Sequence, residues 1–593
     1  MNTNFDKAKN LFLDGVKSME KNDNEDAERF FLRSLEIIPD RVSTLNNLSV
    51  VQIKLRKIEE ALKNSIKAIE LDDSNFNGWL NAGTIYLLNK KFKQALECFN
   101  KCSILQPKSI EILNNRAITY DEMGDFNNAI ADYQNAIELN IEYKNLLANK
   151  VFLNQRICDW NNYEINKKLL IEYTLSKKVK FDPWKLFSLL DDPEVHKQAT
   201  KIYVEQSLNQ SKYENQIIHK NFNKKIKLGY FSADFRNHTV SHQILGLFEN
   251  HDRTQFEILG FDFSPYSDFV TKDIERSLDQ LINVKNKTDG EINQQARDLN
   301  IDIAIDLTGH TDHSKPGIFI QRAAPIQINY LGYAGSTWIN NMDYIVADEL
   351  LIPESHQKFY SEKIIYMPDT FWVTKKNALE GKKFSKSELG LPPDKFIYCC
   401  FNRNYKISPK TFYSWMKILK STDNSILWLY EDSILASKNL ILEAEKFGIS
   451  KDRIIFAKKV QNIEDHLIRY NYADLFLDTL PYSAHTTASD ALWQGLPVLT
   501  QIGNSFASRV SASLLRAISL DSLIAKTDDD FEKKAIEFAK SPHLLKRIRS
   551  DLKEGITNSP LYNSKLFTTN LEKSYKEVLK KYREDREPEH IYI

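Results

Sequence analysis

A chain of 593 residues with 42% hydrophobic side chains is long enough for several domains and apolar enough for buried cores. Its 80 Lys and Arg balance 80 Asp and Glu, which gives no support for nucleic-acid or membrane-surface binding as the main activity. The start, MNTNFDKAKN, has no apolar signal region, no apolar run reaches a membrane span, and Cys98 and Cys102 lack a second pair for zinc, so a reducing, cytoplasmic setting is expected.

Residues 7–142 repeat with a period of 34, the length of a tetratricopeptide repeat. Ala27, Ala61, Ala95 and Ala129 keep that step, as small residues where paired helices meet. Pro39, Asp73, Pro107 and Ile141 keep it at the loops that end each unit. Asn47, Asn81, Asn115 and Asn149 are in step as well, each in the first helix of its repeat. Such a row of amides can donate to and accept from the backbone of an extended peptide. The competing reading is chance register in an asparagine-rich chain.

Residues 150–223 are expected to be helical and less regular, with Cys158-Asp159-Trp160 and Pro183-Trp184 as packing residues and Asn209–Asn223 as a polar linker. From Lys224 short apolar runs alternate with helical segments. The expected strands are Ile226–Phe231, Ile258–Phe263, Ile303–Leu307, Ile326–Leu331 and Tyr344–Val346, then Phe396–Phe401, Ile426–Leu429, Ile454–Phe456, Leu475–Leu480 and Val498–Thr500. Two such series imply two doubly wound α/β domains with a cleft between them, divided near Asn377–Ser385. Adjacent Cys399 and Cys400 fall in an apolar strand as core thiols. Lys565–Lys581 is predicted to be a helix and Arg583–Ile593 a loose tail.

Ala473–Thr500 reads as strand, turn, helix and strand, with the helix over Thr486–Gln494 and Gly495 as its stop. His485, Thr486 and Thr487 fall at the helix start, where free N–H groups and the helix dipole suit a phosphate. Asp490 lies on the same helix face as Thr486, placed to accept ribose hydroxyls. A plain helix cap with a solvated Asp490 fits the same spacing. FSADFRNHTVSHQ, over Phe231–Gln243, follows a strand and opens a helix, so His238 and His242 face the cleft. A third metal ligand is missing there, whereas a cleft imidazole can take a proton or hold a sugar hydroxyl. The alternative is one capping and one packing histidine. Asp306 and His310, in DLTGHT, and Gly335, in GYAGST, follow further strands as cleft candidates, with a purely structural role open to Asp306 and His310.

These segments resemble the O-linked N-acetylglucosamine transferases, glycosyltransferases of family 41 with tetratricopeptide repeats ahead of a GT-B catalytic domain. His485-Thr486-Thr487 and Asp490 match that family's nucleotide segment. The related fucosyltransferase branch, with its Gly-Thr-Thr-Thr-Thr run, is less similar. Asp234-Phe235-Arg236-Asn237-His238 through His242 looks like the family's Asp-Phe-x-Asn-His-x-x-Ser-His, which implies His238 as base or substrate-positioning group. Lys406, in FNRNYKI, matches the lysine that contacts the donor diphosphate. His466, Arg469 and Arg509 match positions around the nucleotide, and the asparagine ladder has its counterpart in the family. Three departures stand out. Ala334 replaces a common proline, Arg403 replaces the animal enzyme's glutamine, and Ile463 replaces its lysine beside the base.

The resemblance implies an α-solenoid over 1–149, a helical bridging region and linker over 150–223, catalytic lobes over 224–380 and 381–585, and a tail over 586–593. The expected activity is inverting transfer of N-acetylglucosamine from UDP-GlcNAc to Ser or Thr of protein acceptors held by Asn47, Asn81, Asn115 and Asn149. His238 and Lys406 would act catalytically, and Arg403, His466, Arg469, His485, Thr486, Thr487, Asp490 and Arg509 would hold the donor. Neither a cofactor nor a metal is expected, because no Asp-x-Asp follows a strand and Asp528-Asp529-Asp530 reads as helix capping. The alternatives are another donor, GDP-fucose or UDP-glucose, and an inert peptide-binding scaffold.

Overall fold

Ala27, Ala61, Ala95 and Ala129 are all fully buried, because each lets one helix lie close against its neighbour. They belong to the helix pairs Asn2–Glu20 with Asn24–Ile37, Val42–Lys54 with Ile58–Leu71, Phe76–Leu88 with Phe92–Leu105, and Ile110–Glu122 with Phe126–Leu139; Asn145–Arg156 follows. A second small-residue series, unrecognised in the sequence, runs in step: Gly15, Ser49, Gly83 and Ala117 are all buried. A Cβ on Gly83 would stand 2.6 Å from the Phe99 ring, so this position sets how closely the paired helices approach. The computed structural model describes residues 2–21, 23–139, 145–176, 180–208, 210, 224–374 and 382–593. Ile141, nearly all of the expected 209–223 linker, and most of the expected lobe boundary at 377–385 lie outside the described residues. The chain divides into two compact units, Met1–Leu153 and Asn154–Ile593.

The second unit holds two parallel sheets. The first is built from β1 (Ile226–Ser232), β2 (Phe256–Asp262), β3 (Gln280–Asn283), β4 (Ile303–Asp306), β5 (Ile326–Asn329), β6 (Tyr344–Ala347) and β7 (Lys363–Tyr366). The second contains β8 (Phe396–Cys400), β9 (Ser425–Tyr430), β10 (Ile454–Ala457), β11 (Leu475–Leu477), β12 (Val498–Gln501) and β13 (Ile524–Ala525). β4, β5, β6 and β11 are buried along their whole length, and most of the other strands are open at only one or two residues, as expected for parallel sheets covered on both faces. Cys399 and Cys400 are buried in β8, and that burial pushes both thiols up.

Strand order places the site. The second sheet runs β10-β9-β8-β11-β12-β13, and the first runs β14-β7-β6-β5-β4-β1-β2-β3, where β14 is Ile591–Tyr592. In each sheet the order reverses next to the first strand, between β8 and β11 and between β1 and β4. A crevice opens at such a switch point, outside the carboxyl ends of the strands. The segments after β8 and β11 carry Lys406 and His485, and those after β1 and β4 carry His238 and His310.

The end of the chain departs from expectation. Residues 586–593 are not a loose tail. Ile591–Tyr592 forms β14, which pairs in parallel with β7 through Ile591↔Ile365 and Tyr592↔Tyr366. Ile591 is buried, the Tyr592 ring stacks on Tyr366 at 4.8 Å, and Ile364 N donates to His590 Nδ1. Ahead of it, helix Ser564–Arg583 packs Phe567, Leu571, Tyr575, Val578 and Leu579 into the core of the first sheet. No helix among the described residues is long and apolar enough to cross a membrane.

Candidate functional site

After β8 the chain makes a single turn, Asn404–Lys406, before Ser408 caps helix Pro409–Lys420. That turn swings the Lys406 side chain into the protein, where only 8% of the residue stays exposed. Its Nζ donates to Ser483 O at 2.9 Å and stands 3.8 Å above the Tyr482 ring, a cation–π contact. Burial pulls the ammonium down to about 8, opposed by the Asp478 carboxylate. A lysine so placed keeps its charge near neutrality and has little water to screen it.

The turn after β11 supplies the other wall. Helix Thr486–Trp493 starts directly at its end, with His485 as N-cap and Gly495, at φ +76°, closing the C-terminal side. His485 Nε2 lies 3.1 Å from Ala507 O, and its ring lies 4.8 Å from Tyr482. Burial, then the neighbouring Lys406 charge, hold this imidazole well below its usual range, so it is neutral. Thr487 Oγ1 donates to Asn402 Oδ1, and Asn402 Nδ2 donates to Thr479 Oγ1 at 2.8 Å. Thr486 Oγ1 accepts from Gln243 Nε2 at 2.7 Å. Gln243 belongs to helix Thr239–Asn250 of the first lobe. One hydrogen bond therefore joins the helix that follows β1 to the helix that follows β11. Neither Gln243 nor Asn402 stands out in the sequence, because each matters only through a partner more than 80 residues away.

His238 is the N-cap of helix Thr239–Asn250. Its Nδ1 accepts from Val240 N at 3.4 Å and lies 3.5 Å from Asp234 Oδ2, with the side chain 35% exposed. Burial lowers its pKa, and Asp234 only partly offsets this, so at neutral pH the ring can accept a proton. Arg236 donates to Asp234 Oδ1 at 3.0 Å, and Asn237 N donates to Asp268 Oδ2 at 2.7 Å, which anchors the loop. His242 points its Nε2 at Asn237 Oδ1, 2.9 Å away.

Asp306 and His310 turn inward instead of into the crevice. Asp306 Oδ1 accepts from Thr308 N and Gly309 N at 2.9 and 3.0 Å, and burial raises its carboxyl to about 6. His310 is 3% exposed, stands 2.6 Å from Thr337 O through Nε2, and is lowered by burial to about 4. Asp306 thus holds its own turn, and His310 holds the Gly332–Thr337 loop. The Gly332–Thr337 loop is held by Asn329 Nδ2 on Gly335 O at 3.0 Å and by Glu362, which accepts from Thr337 N and Oγ1 at 2.7 Å and from Ser336 Oγ. A Cβ at Gly332 would lie 1.8 Å from Leu307 O, so only glycine fits there.

The remaining residues spread around the second sheet. Arg403 reaches outward, 63% exposed, to Asp432 Oδ1 at 2.5 Å. His466 and Arg469 form one unit: an Arg469 N–H contacts His466 Nδ1, and both lie against the Phe401 ring, the imidazole tilted at 5.6 Å and the guanidinium over it at 5.4 Å. Burial lowers His466 to about 4. Asp490 is half-buried on helix Thr486–Trp493, and its charge helps to raise the Tyr470 and Tyr562 phenols. Arg509 donates to Leu350 O and Gly503 O, both at 2.7 Å, and so clasps the two lobes through backbone. Of the ladder, Asn47, Asn115 and Asn149 are half-buried, whereas Asn81 is 7% exposed and donates to Asn46 O at 3.1 Å. Among the described residues no three His, Cys, Asp or Glu are grouped as metal ligands.

The model of glycosyl transferase family 41 matches residues 157–382 and 378–571, and tetratricopeptide-repeat models match 76–109 and 110–143. A probable UDP-N-acetylglucosamine–peptide N-acetylglucosaminyltransferase, SEC of Arabidopsis thaliana, is 31% identical over 378 residues, 62% of this chain and 39% of that protein. Its namesake in activity, SPINDLY of Arabidopsis thaliana, is 28% identical over 372 residues, 60% of this chain and 40% of that one. The aligned part is therefore about two fifths of the length of these curated relatives. Among solved structures, a mutant of the Thermobaculum terrenum O-GlcNAc transferase superposes with a TM-score of 0.67 at 22% identity, covering 91% of this chain and 98% of that one. This likeness shows the fold, helical repeats followed by two parallel-sheet lobes.

Proposed function

Because the chain belongs to glycosyl transferase family 41, we propose that it transfers N-acetylglucosamine from UDP-N-acetylglucosamine to Ser or Thr hydroxyls of protein acceptors. The observation that carries the reading is the pairing, at one switch point, of a buried Lys406 ammonium with the start of helix Thr486–Trp493. A cation beside the positive end of a helix suits a diphosphate better than any uncharged ligand.

In this reading the diphosphate lies against Lys406 and the N–H groups after His485, with Thr486 and Thr487 beside it and Asp490 toward the ribose. Arg403, His466, Arg469 and Arg509 support the nucleotide side. The acceptor hydroxyl approaches from the first lobe, where His238 takes its proton as the oxygen attacks the anomeric carbon. The bond from that carbon to the diphosphate breaks on the opposite face, so the configuration inverts. Charge that builds on the departing UDP meets Lys406, and no metal is assigned a part. Acceptor backbone is held by the asparagines of the repeats, with Asn47, Asn115 and Asn149 better exposed for it than Asn81.

A donor panel tests this. Purified protein should bind UDP and UDP-N-acetylglucosamine, hydrolyse the latter slowly without acceptor, and do so in EDTA. Tight binding of GDP-fucose with no response to UDP would reassign the donor. Loss of turnover in EDTA with recovery in manganese would restore a metal to the mechanism.

A further inference from the structure

The Lys406 ammonium is held by one carbonyl, Ser483 O, at 2.9 Å. The peptide that owns this carbonyl also owns the Ala484 N–H, which donates to Asp478 Oδ1 at 2.7 Å. A peptide group is planar, so its N–H and C=O point in opposite directions. Fixing the N–H on Asp478 therefore fixes where the C=O points, and with it where Lys406 stands. Asp478 follows β11, is 3% exposed, and its own turn closes on it: Thr479 N also donates to Oδ1 at 2.7 Å, and Thr500 Oγ1 donates to Oδ2 at 2.7 Å. Asn402 Nδ2, from the β8 turn, reaches Oδ1 at 3.4 Å. One carboxylate thus ties together β11, β12 and both turns that frame the crevice.

We propose that Asp478 is a positioning residue of the donor site: it orients the Ser483–Ala484 peptide so that its carbonyl presents the Lys406 ammonium to the diphosphate. The proposal rests on the reading of this crevice as a nucleotide-sugar site. Asp478 acts in two separable ways. As a hydrogen-bond acceptor it holds the peptide plane. As a charge it faces Lys406 and favours the protonated ammonium against burial, while the Cys400 thiol, kept protonated by burial, the neutral His485 and the Tyr482 ring complete the surroundings.

Two substitutions separate these effects. Asp478→Asn keeps an oxygen for the Thr479 and Ala484 N–H groups and loses the charge; Asp478→Ala loses both. UDP affinity is measured by calorimetry from pH 6 to 9 on the full chain, in the native and Lys406→Met backgrounds, with circular dichroism and melting curves on each variant. Asp478→Asn is expected to bind UDP within about threefold of the native chain at pH 6 and to lose affinity at lower pH as Lys406 deprotonates, by about one pH unit. Asp478→Ala is expected to weaken binding at least tenfold at pH 7, yet less than twofold further once Lys406 is Met, because it acts through that lysine. If Asp478→Ala does not fold, Asp478→Asn alone decides. An alkaline limb unmoved in Asp478→Asn, or equal losses from Asp478→Ala in both backgrounds, would overturn the proposal while leaving UDP binding intact. A native chain that does not bind UDP at all would overturn the donor-site reading and this proposal with it.

Discussion

Asp306 separates a structural carboxylate from a catalytic one, and Asp306→Asn decides which it is. Burial raises its carboxyl from 3.8 to about 6, against the lowering effect of two backbone N–H groups. A folded-state pKa above the unfolded one means that this group's contribution favours folding fully below about 3.8 and is lost as pH rises through about 6. At about 1.36 kcal/mol per unit, charging it costs the fold roughly 3 kcal/mol well above pH 6 and about 1.6 kcal/mol at pH 5. Asparagine keeps an oxygen for Thr308 N and Gly309 N and never ionises. Its extra N–H group adds a cost that does not vary with pH. The stability of Asp306→Asn relative to the native chain should therefore rise by about 1.4 kcal/mol between pH 5 and pH 7.5. Guanidinium titrations at both pH values, followed by tryptophan fluorescence, give that difference, and UDP binding on the same samples should be unchanged. A relative stability that does not vary with pH would refute the account of a desolvated carboxyl. Loss of turnover with normal UDP binding would make Asp306 a reacting group instead.

Lys406→Met keeps the apolar stem against Tyr482 and removes the cation, so steady-state turnover should fall on the order of a hundredfold with the fold intact by circular dichroism. His238 is neutral near pH 7 because burial lowers its pKa; the rate of transfer should decline as pH drops below that lowered value, and His238→Ala should remove this acid limb while UDP titrations stay normal. For the ladder, Asn47, Asn115 and Asn149 changed together to Ala should weaken acceptor binding at least tenfold at unchanged UDP affinity, each lost bond being worth about 0.5–1.5 kcal/mol. Asn81→Ala should instead lower the melting temperature of the repeat unit, since its amide holds Asn46 O; equal effects of all four on acceptor alone would contradict that distinction.

Much of the architecture is legible in the sequence because its signals are periodic or apolar. The 34-residue step of alanines works because each must vanish between two helices, and all four are fully buried. The central strands announce themselves as short runs of Ile, Leu and Phe, since parallel strands are covered on both faces. The peripheral strands escape for the opposite reason. In β3, Gln280–Asn283, only Ile282 is buried, and β13 and β14 are two residues each. Nothing in Ile591-Tyr592 says that its partner is β7, more than 200 residues earlier. At the site the limit is direction. Sequence places Asp306, His310, His238 and Lys406 alike after strand ends. Whether a side chain then turns into the crevice or back into the protein depends on a turn of a few residues. Gly332 under Leu307 O is one such detail, and the 243-residue link from Gln243 to Thr486 is another.

The pairing of β14 with β7 also changes what counts as a lobe. The first sheet is started before the second and finished after it, by helix Ser564–Arg583 and β14. In topology the second lobe is an insertion within the first. A cut between them yields no complete half: residues 224–374 alone would expose the surface that Leu571, Tyr575, Val578 and Leu579 cover. During synthesis the first sheet must wait, with that face uncovered, until the whole second lobe has emerged. Reconstitution from two pieces therefore calls for a split in which the last 30 or so residues are supplied to the first lobe, either by the partner fragment or by circular permutation.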